Sequence, residues 1–108
     1  MQVKSALHED IAIFEVNGEI NISTSPDLKK HFEKQLSKKI IVNLARVTYI
    51  DSSGLATLVE VLKKTKSQGG RLGLSGMSDK VKSLFEITKL DKLFSIFPDQ
   101  EDAISKIK

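Results

Sequence analysis

Apolar residues along this chain follow two periods, and segments of the two kinds alternate. "IAIFEV", residues 11–16, predicts a strand that the turn dipeptide Asn17-Gly18 closes. "QVKSALHED" before it predicts a weaker edge strand, with a turn at Glu9-Asp10. "KIIVNL", residues 39–44, is a nearly continuous apolar, β-branched run, which is typical of a strand covered on both faces. "RLGLS" and "LFSIF" predict two further short strands.

Helical spacing begins after each of the later strands. "STSPDLKKHFEKQL" predicts a first helix that Ser25 caps and that has Pro26 at its first position. Its predicted apolar stripe consists of Leu28, Phe32 and Leu36. The four-residue spacing of these side chains places them on one side of the helix.

Three more helices follow by the same criteria. The second is predicted from about Ser53 to Ser67 and is ended by Gly69-Gly70. The third begins at the cap Ser78, and the last begins after Pro98-Asp99, with acids at its start and lysines at its end. The predicted inward residues of the second and third helices are Leu55, Leu58, Val59, Leu62, Val81, Leu84 and Phe85.

The resulting order, β-β-α-β-α-β-α-β-α, predicts an α/β fold with a mixed, mostly parallel sheet and helices. We expect one domain over residues 1–108, since this length suits a single core. Three loops, "NGEINISTS", "ARVTYIDSS" and "SGMS", should meet at the carboxyl edge of the parallel strands. Ligands and partners usually bind at this edge of open α/β sheets.

Composition narrows the classes of function. The chain has no cysteine, which removes disulfides, thiolate zinc sites and cysteine nucleophiles. No apolar run approaches the roughly 20 residues of a membrane span, and the start lacks the apolar segment of a signal peptide, so we expect a cytoplasmic protein. The charge of +3 comes from dispersed lysines with one tyrosine, Tyr49, which gives little support to nucleic-acid binding. We expect no metal and no cofactor.

The segment "TYIDSSGLATLVEVL", residues 48–62, places two hydroxyls and a glycine where a strand passes into a helix. Ser52 or Ser53 can cap that helix, a contribution of about 1 kcal/mol. A cap explains one serine. It does not explain a second one, nor Gly54, because glycine in a first turn costs roughly 1 kcal/mol relative to alanine. The spare hydroxyl and the small residue favour docking by another molecule.

Three chemistries can use such serines. A nucleophilic serine needs a base, but His8 and His31 have no evident route to Ser53 and the G-x-S-x-G motif is absent. A phosphate ligand can bind a helix N-terminus, but the loop has too little glycine for a P-loop and no lysine follows. Phosphorylation of the serine adds about −1.5 to −2 charges at the positive end of the helix. We favour phosphorylation.

Several segments together resemble the STAS domain, and specifically the stand-alone bacterial anti-sigma factor antagonists. They are "GEINISTSPDL", "IIVNLARVTYIDSSGLATLVEVLKK" and "GGRLGLSGMSDKVKSLFEITKLDKLFSIF", followed by an acidic helix start. The resemblance spans nearly the whole chain in order. It implies a STAS-like fold, no enzymatic activity, and a partner that is an anti-sigma factor with a histidine-kinase-like ATPase fold. It also implies a PP2C-type phosphatase as a second partner.

The resemblance places phosphorylation on Ser53, which precedes the family glycine. The residues expected at the partner interface are Asn21, Ser23, Asp51, Ser52, Gly54, Ser75 and Met77. Asn21 departs from the family pattern, which often has an acid there, so the identity of the partner and the strength of its binding stay open. Two alternatives also stay open: a STAS scaffold or signalling subunit with another partner, and a STAS protein that binds a lipid or anion at the same edge.

Overall fold

The computed structural model describes residues 1–35 and 37–108. The strands are β1 (Gln2–His8), β2 (Ile11–Ile20), β3 (Lys39–Ile50), β4 (Arg71–Ser75) and β5 (Ser95–Phe97). The helices are α1 (Ser25–Glu33), α2 (Ser52–Ser67), α3 (Asp79–Ile87) and α4 (Gln100–Ile107), with a short 3₁₀ turn at Leu90–Lys92. The predicted order of elements is confirmed.

The five strands form one sheet in the order β1-β2-β3-β4-β5. β1 pairs antiparallel with β2, and every later neighbour pairs in parallel. The predicted mixed, mostly parallel sheet is therefore confirmed. Each crossover helix joins neighbouring strands, so the carboxyl ends of β2, β3 and β4 lie at one edge.

The two faces of the sheet bury different helices. Leu28 and Phe32 of α1, the apolar stripe of α2, and Val81 and Phe85 of α3 share one core with alternate residues of the strands. α4 covers the other face, where Ala103 and Ile107 pack on three isoleucines of β2 and β3. β3 lies between the two cores, which confirms the prediction that its "KIIVNL" segment is covered on both faces. Leu36, the third residue of the predicted α1 stripe, lies outside the described residues.

The predicted end of β2 at Asn17-Gly18 is wrong. β2 continues to Ile20, and β3 continues past "KIIVNL" to Ile50, so much of two predicted loops is paired strand. The β2–β3 register shifts twice along this extension, between Glu15 and Asn17 and again between Gly18 and Glu19. Gly18 has φ +108°, so here glycine permits an irregular strand rather than a turn.

The predicted helix starts are confirmed for α3 and α4, but the predicted cap of α1 is wrong. Ser78 caps α3 and Asp99 caps α4, each accepting a backbone N–H. Ser25 is already the first residue of α1 and does not cap it. The strand predicted over "LFSIF" is shorter: Leu93 is half exposed, while Phe94 packs edge-on against Phe85 at 5.7 Å. The 3₁₀ turn occupies the chain just before it.

Candidate functional site

The start of α2 lies against the end of the β2–β3 pair. The Asp51 N–H donates to the Ile20 carbonyl at 3.0 Å, and α2 begins at the next residue. The β2–α1 loop and the β3–α2 junction are thus bonded to each other at the carboxyl edge of the sheet. The predicted meeting of these two loops is confirmed.

Asp51, rather than either serine, caps α2. Its Oδ1 accepts from the Gly54 N–H at 3.0 Å, and its Oδ2 accepts from the Ile22 N–H at 3.1 Å. The backbone of Asp51 is extended, as an N-cap requires. The prediction that Ser52 or Ser53 supplies the cap is therefore wrong. A carboxylate has two acceptor oxygens, so one residue can end the strand, cap the helix and hold the neighbouring loop.

The two serine hydroxyls are left free by this arrangement. Ser52 is exposed and Ser53 is half-buried, at the first and second positions of α2. Among the described residues, neither hydroxyl has a hydrogen-bond partner, while the Ser53 carbonyl accepts from the Thr57 hydroxyl at 3.0 Å. Capping thus accounts for neither serine.

Gly54 has a packing role that its sequence context did not reveal. It is buried, and a Cβ placed on it would lie 2.7 Å from Ile20 Cγ2, 2.8 Å from Ile50 Cγ2 and 2.9 Å from the Ile20 carbonyl oxygen. The glycine lets α2 approach the strand ends closely. An added side chain would point into the core, so the glycine serves the packing of α2, and its expected contact with a partner stays a prediction.

The β2–α1 loop is held in shape by its own polar groups. Asn21 Oδ1 accepts from the N–H groups of Ser23 at 2.9 Å and Thr24 at 3.1 Å. The Thr24 hydroxyl accepts from the Asn21 N–H at 2.8 Å and donates to the Glu19 carbonyl at 2.9 Å. The Asn21 side chain is therefore engaged within the loop, and the tip of the loop presents Ile22 and Ser23, both exposed.

The third loop at this edge contributes less than predicted. Ser75 is fully buried, and its hydroxyl has no hydrogen-bond partner among the described residues. The Ser75 side chain therefore faces the interior, and the expected contact of Ser75 with a partner stays a prediction. Its Cα pairs in register with Asn43 of β3, on the side of the sheet where Asn43 Nδ2 donates to Gln100 of α4 at 2.9 Å. Met77 is partly buried and packs on the core.

The competing chemistries gain no support from the geometry. His8 pairs with Ile11 at the opposite edge of the sheet, and His31 lies in α1 with its Nε2 3.7 Å from Asp27. A groove of about 360 Å³ lies between α1 and α2, and its lining, which includes Phe32, Ile40 and Val61, contains neither Ser52 nor Ser53. In the part of the chain that is described, no three metal-ligating side chains come together.

Over residues 1–35 and 37–108, no helix combines the length and the apolar character that crossing a bilayer requires.

The chain is similar to a known family of proteins. The model of the STAS domain matches residues 2–103. An anti-sigma-B factor antagonist of Listeria monocytogenes is 36% identical over 99 residues, which cover 89% of this chain and 86% of the relative. A putative anti-sigma factor antagonist of Thermotoga maritima is 32% identical over 104 residues, covering 93% of this chain and 92% of the relative. These names describe regulators rather than enzymes, in agreement with the prediction.

Solved structures agree with the fold. A crystal structure of a putative anti-sigma factor antagonist from Thermotoga maritima superposes with a TM-score of 0.90 at 28% identity, covering 97% of this chain and 93% of that one. The Bacillus cell fate determinant SpoIIAA, solved in its phosphorylated form, gives a TM-score of 0.77 over 99% of this chain and 100% of its own. At 17% identity, the likeness to SpoIIAA concerns the fold alone.

Proposed function

This chain belongs to the STAS domain family, and on that premise we propose that it is an anti-sigma factor antagonist switched by phosphorylation of Ser53. In its unphosphorylated form it binds an anti-sigma factor with a histidine-kinase-like ATPase fold and so releases the sigma factor. It acts in the cytoplasm as one domain over residues 1–108. The names of its relatives in Listeria and Thermotoga support the antagonist role.

The observation that carries the proposal is the free hydroxyl of Ser53. Asp51 supplies the cap of α2, so Ser53 is not required for the helix, yet it stands half-buried at the second helical position. The first N–H groups of a helix have no partner within it and are stabilised by a nearby anion. A phosphate on Ser53 can therefore be accommodated without unfolding the helix.

The proposed modification is a phosphoryl transfer. The Ser53 oxygen attacks the γ-phosphorus of ATP, the bond from that phosphorus to the bridging oxygen breaks, and ADP leaves. The hydroxyl proton passes to a base of the kinase, which is the bound anti-sigma factor. A PP2C-type phosphatase reverses the step by adding water to the phosphoserine, which yields serine and inorganic phosphate.

Charge and bulk explain how the phosphate acts as a switch. A phosphoserine brings about −1.5 to −2 charges to the centre of the proposed docking surface. Those charges lose water on binding unless the partner supplies matching cations, and an uncompensated buried charge costs several kcal/mol. Each 1.4 kcal/mol is a factor of about ten in affinity. The modified protein therefore dissociates from the partner while keeping its fold.

Substitution of the two serines tests this proposal. We expect Ser53→Asp to lower affinity for the anti-sigma factor by at least about tenfold, and Ser53→Ala to retain it while abolishing phosphorylation. Ser52→Ala is the matched control, since it removes the neighbouring exposed hydroxyl and should still be phosphorylated. Calorimetry measures the affinities, and mass spectrometry after incubation with ATP and kinase locates the phosphate.

Two results would contradict the proposal. One is phosphate on Ser52 or on no residue of this segment. The other is binding of Ser53→Asp with the affinity of the unmodified chain.

A further inference from the structure

Charge is sparse in the three loops that build the proposed docking edge. Residues 17–25, 45–53 and 75–78 contain three charged residues, Glu19, Arg46 and Asp51, in a chain of which 29% is charged. Both oxygens of the Asp51 carboxylate already accept backbone N–H groups. The core of a protein–protein interface is typically depleted of charge and enriched in large apolar side chains. This edge has the first property, since its loops hold a smaller share of charged residues than the chain as a whole.

Ile22 supplies the second property. It is 74% exposed, one of five large apolar side chains that the described part of the chain leaves open to solvent. It lies at the tip of the β2–α1 loop, and its N–H donates to the same carboxylate that caps the helix of Ser53. Asp51 therefore joins the loop that carries Ile22 to the helix start that carries Ser53.

Hydrogen bonds within the chain hold the loop that carries Ile22. Besides the Asp51 contact, Asn21 Oδ1 accepts two N–H groups of the loop, and the Ser25 N–H donates to the Asn21 carbonyl at 2.8 Å. Ordering a loop on binding costs free energy, and a loop that is already ordered avoids that cost. A partner can therefore bury an exposed apolar side chain on this loop with little cost of ordering the loop.

We infer that Ile22 is the apolar anchor by which the anti-sigma factor is recognised, and that the partner receives it in an uncharged, apolar pocket rather than through an ion pair. The inference rests on the proposed function and names the chemistry of the same site. Asp51 is a positioning residue in this scheme, because it fixes the backbone of Ile22 relative to Ser53. Burying an isoleucine side chain changes affinity by about 10- to 150-fold, enough to decide between partners.

Paired isoleucine variants test the anchor. We expect Ile22→Ala to weaken binding to the purified anti-sigma factor about 30-fold, with little change in thermal midpoint because the side chain is mostly exposed. Ile87→Ala is the matched control, since Ile87 is 78% exposed at the end of α3, and it should change affinity less than about twofold. Equal effects of the two variants would overturn the inference.

Salt dependence tests the neutral character of the contact. Salt screens interactions between charges and has little effect on apolar contacts. We therefore expect the affinity to change less than about threefold between about 50 and about 500 mM NaCl. A loss of tenfold or more over that range would show recognition through charge and would contradict the inference.

A double-mutant cycle tests the positioning role of Asp51. Asp51→Asn retains one acceptor oxygen, so one of the two bound N–H groups loses its partner. If Asp51 acts by holding Ile22, Asp51→Asn should weaken binding about tenfold alone but much less in the Ile22→Ala background. Additive losses would contradict this role and indicate a direct contact of Asp51 with the partner.

The same experiments separate this inference from the proposed function. If the unmodified chain binds the anti-sigma factor and Ser53→Asp releases it, while Ile22→Ala binds as the unmodified chain does, the anchor is wrong and the antagonist role stands. If the unmodified chain binds none of the purified histidine-kinase-like anti-sigma factors of its organism, the proposed function itself fails.

Discussion

Gly54 shows how a single missing methyl group sets the geometry of the site. Its Cα faces Ile20 and Ile50, and an added Cβ would lie within 2.9 Å of three atoms of those residues. Helix propensity alone favours alanine over glycine by about 1 kcal/mol. At this position the steric conflict is larger, since the neighbouring atoms belong to a filled core and to the backbone of β2.

We therefore predict that Gly54→Ala destabilises the protein by about 1–3 kcal/mol, with the sign opposite to that of helix propensity. Gly69→Ala serves as the control, because no atom lies within 4 Å of its Cβ position and only its φ of +74° opposes the change. Urea denaturation measures both. A Gly54→Ala protein as stable as the unmodified chain would show that the helix can shift away from the sheet at no cost.

At the scale of elements, the start of α2 differs from the starts of α3 and α4. Ser78 and Asp99 each accept one N–H of their own helix. Asp51 accepts one N–H of its helix and one from another loop, so it joins two elements as well as capping one. A bond between elements contributes to tertiary stability in addition to helix stability.

This difference predicts how strongly the loss of each capping side chain destabilises the protein. Asp51→Ala should cost about 2–3 kcal/mol, whereas Ser78→Ala and Asp99→Ala should each cost about 1 kcal/mol. Ser52→Ala and Ser53→Ala should each cost less than about 0.5 kcal/mol, because neither hydroxyl caps the helix. Free energies of unfolding from chemical denaturation give the comparison. If Ser53→Ala lost as much stability as Asp51→Ala, this would indicate that Ser53 caps α2 after all.

At the scale of the whole molecule, burial and strand pairing are concentrated in the middle of the sheet. β3 pairs with β2 and β4 and lies between the two cores, with Ile41, Val42 and Leu44 fully buried. β1 and β5 are the edges: β1 is exposed along most of its length, and β5 has three residues. Segments with few buried contacts open at a lower free-energy cost than the core.

We predict that the hydrogen-bonded amides of β2 and β3 exchange most slowly, and that those of β1 and β5 exchange at least about tenfold faster. Native-state hydrogen exchange followed by NMR measures the rates, which are compared after correction for intrinsic exchange. Equal protection of β5 and β3 would mean that the molecule opens only as a single unit.

Much of the architecture follows from local patterns. Alternation of β-branched runs with helical spacing gave the order of elements, and Ser78, Asp99 and Gly69 marked helix ends where the structure has them. Such signals are local because caps, turns and amphipathic faces depend on residues a few positions apart. The ends of β2 and β3 were not predictable in this way, since their extension depends on pairing between strands almost 30 residues apart.

The sequence by itself determined the fold class, the family resemblance and the segment that carries Ser53. Only the tertiary structure decided the roles within that segment: Asp51 caps and joins, Gly54 packs, Ser75 is buried, and both serines keep free hydroxyls. The physical reason is that each role depends on atoms brought from β2 and the β2–α1 loop. The residues next to Asp51 or Gly54 in the sequence do not indicate which distant N–H or methyl group each one contacts.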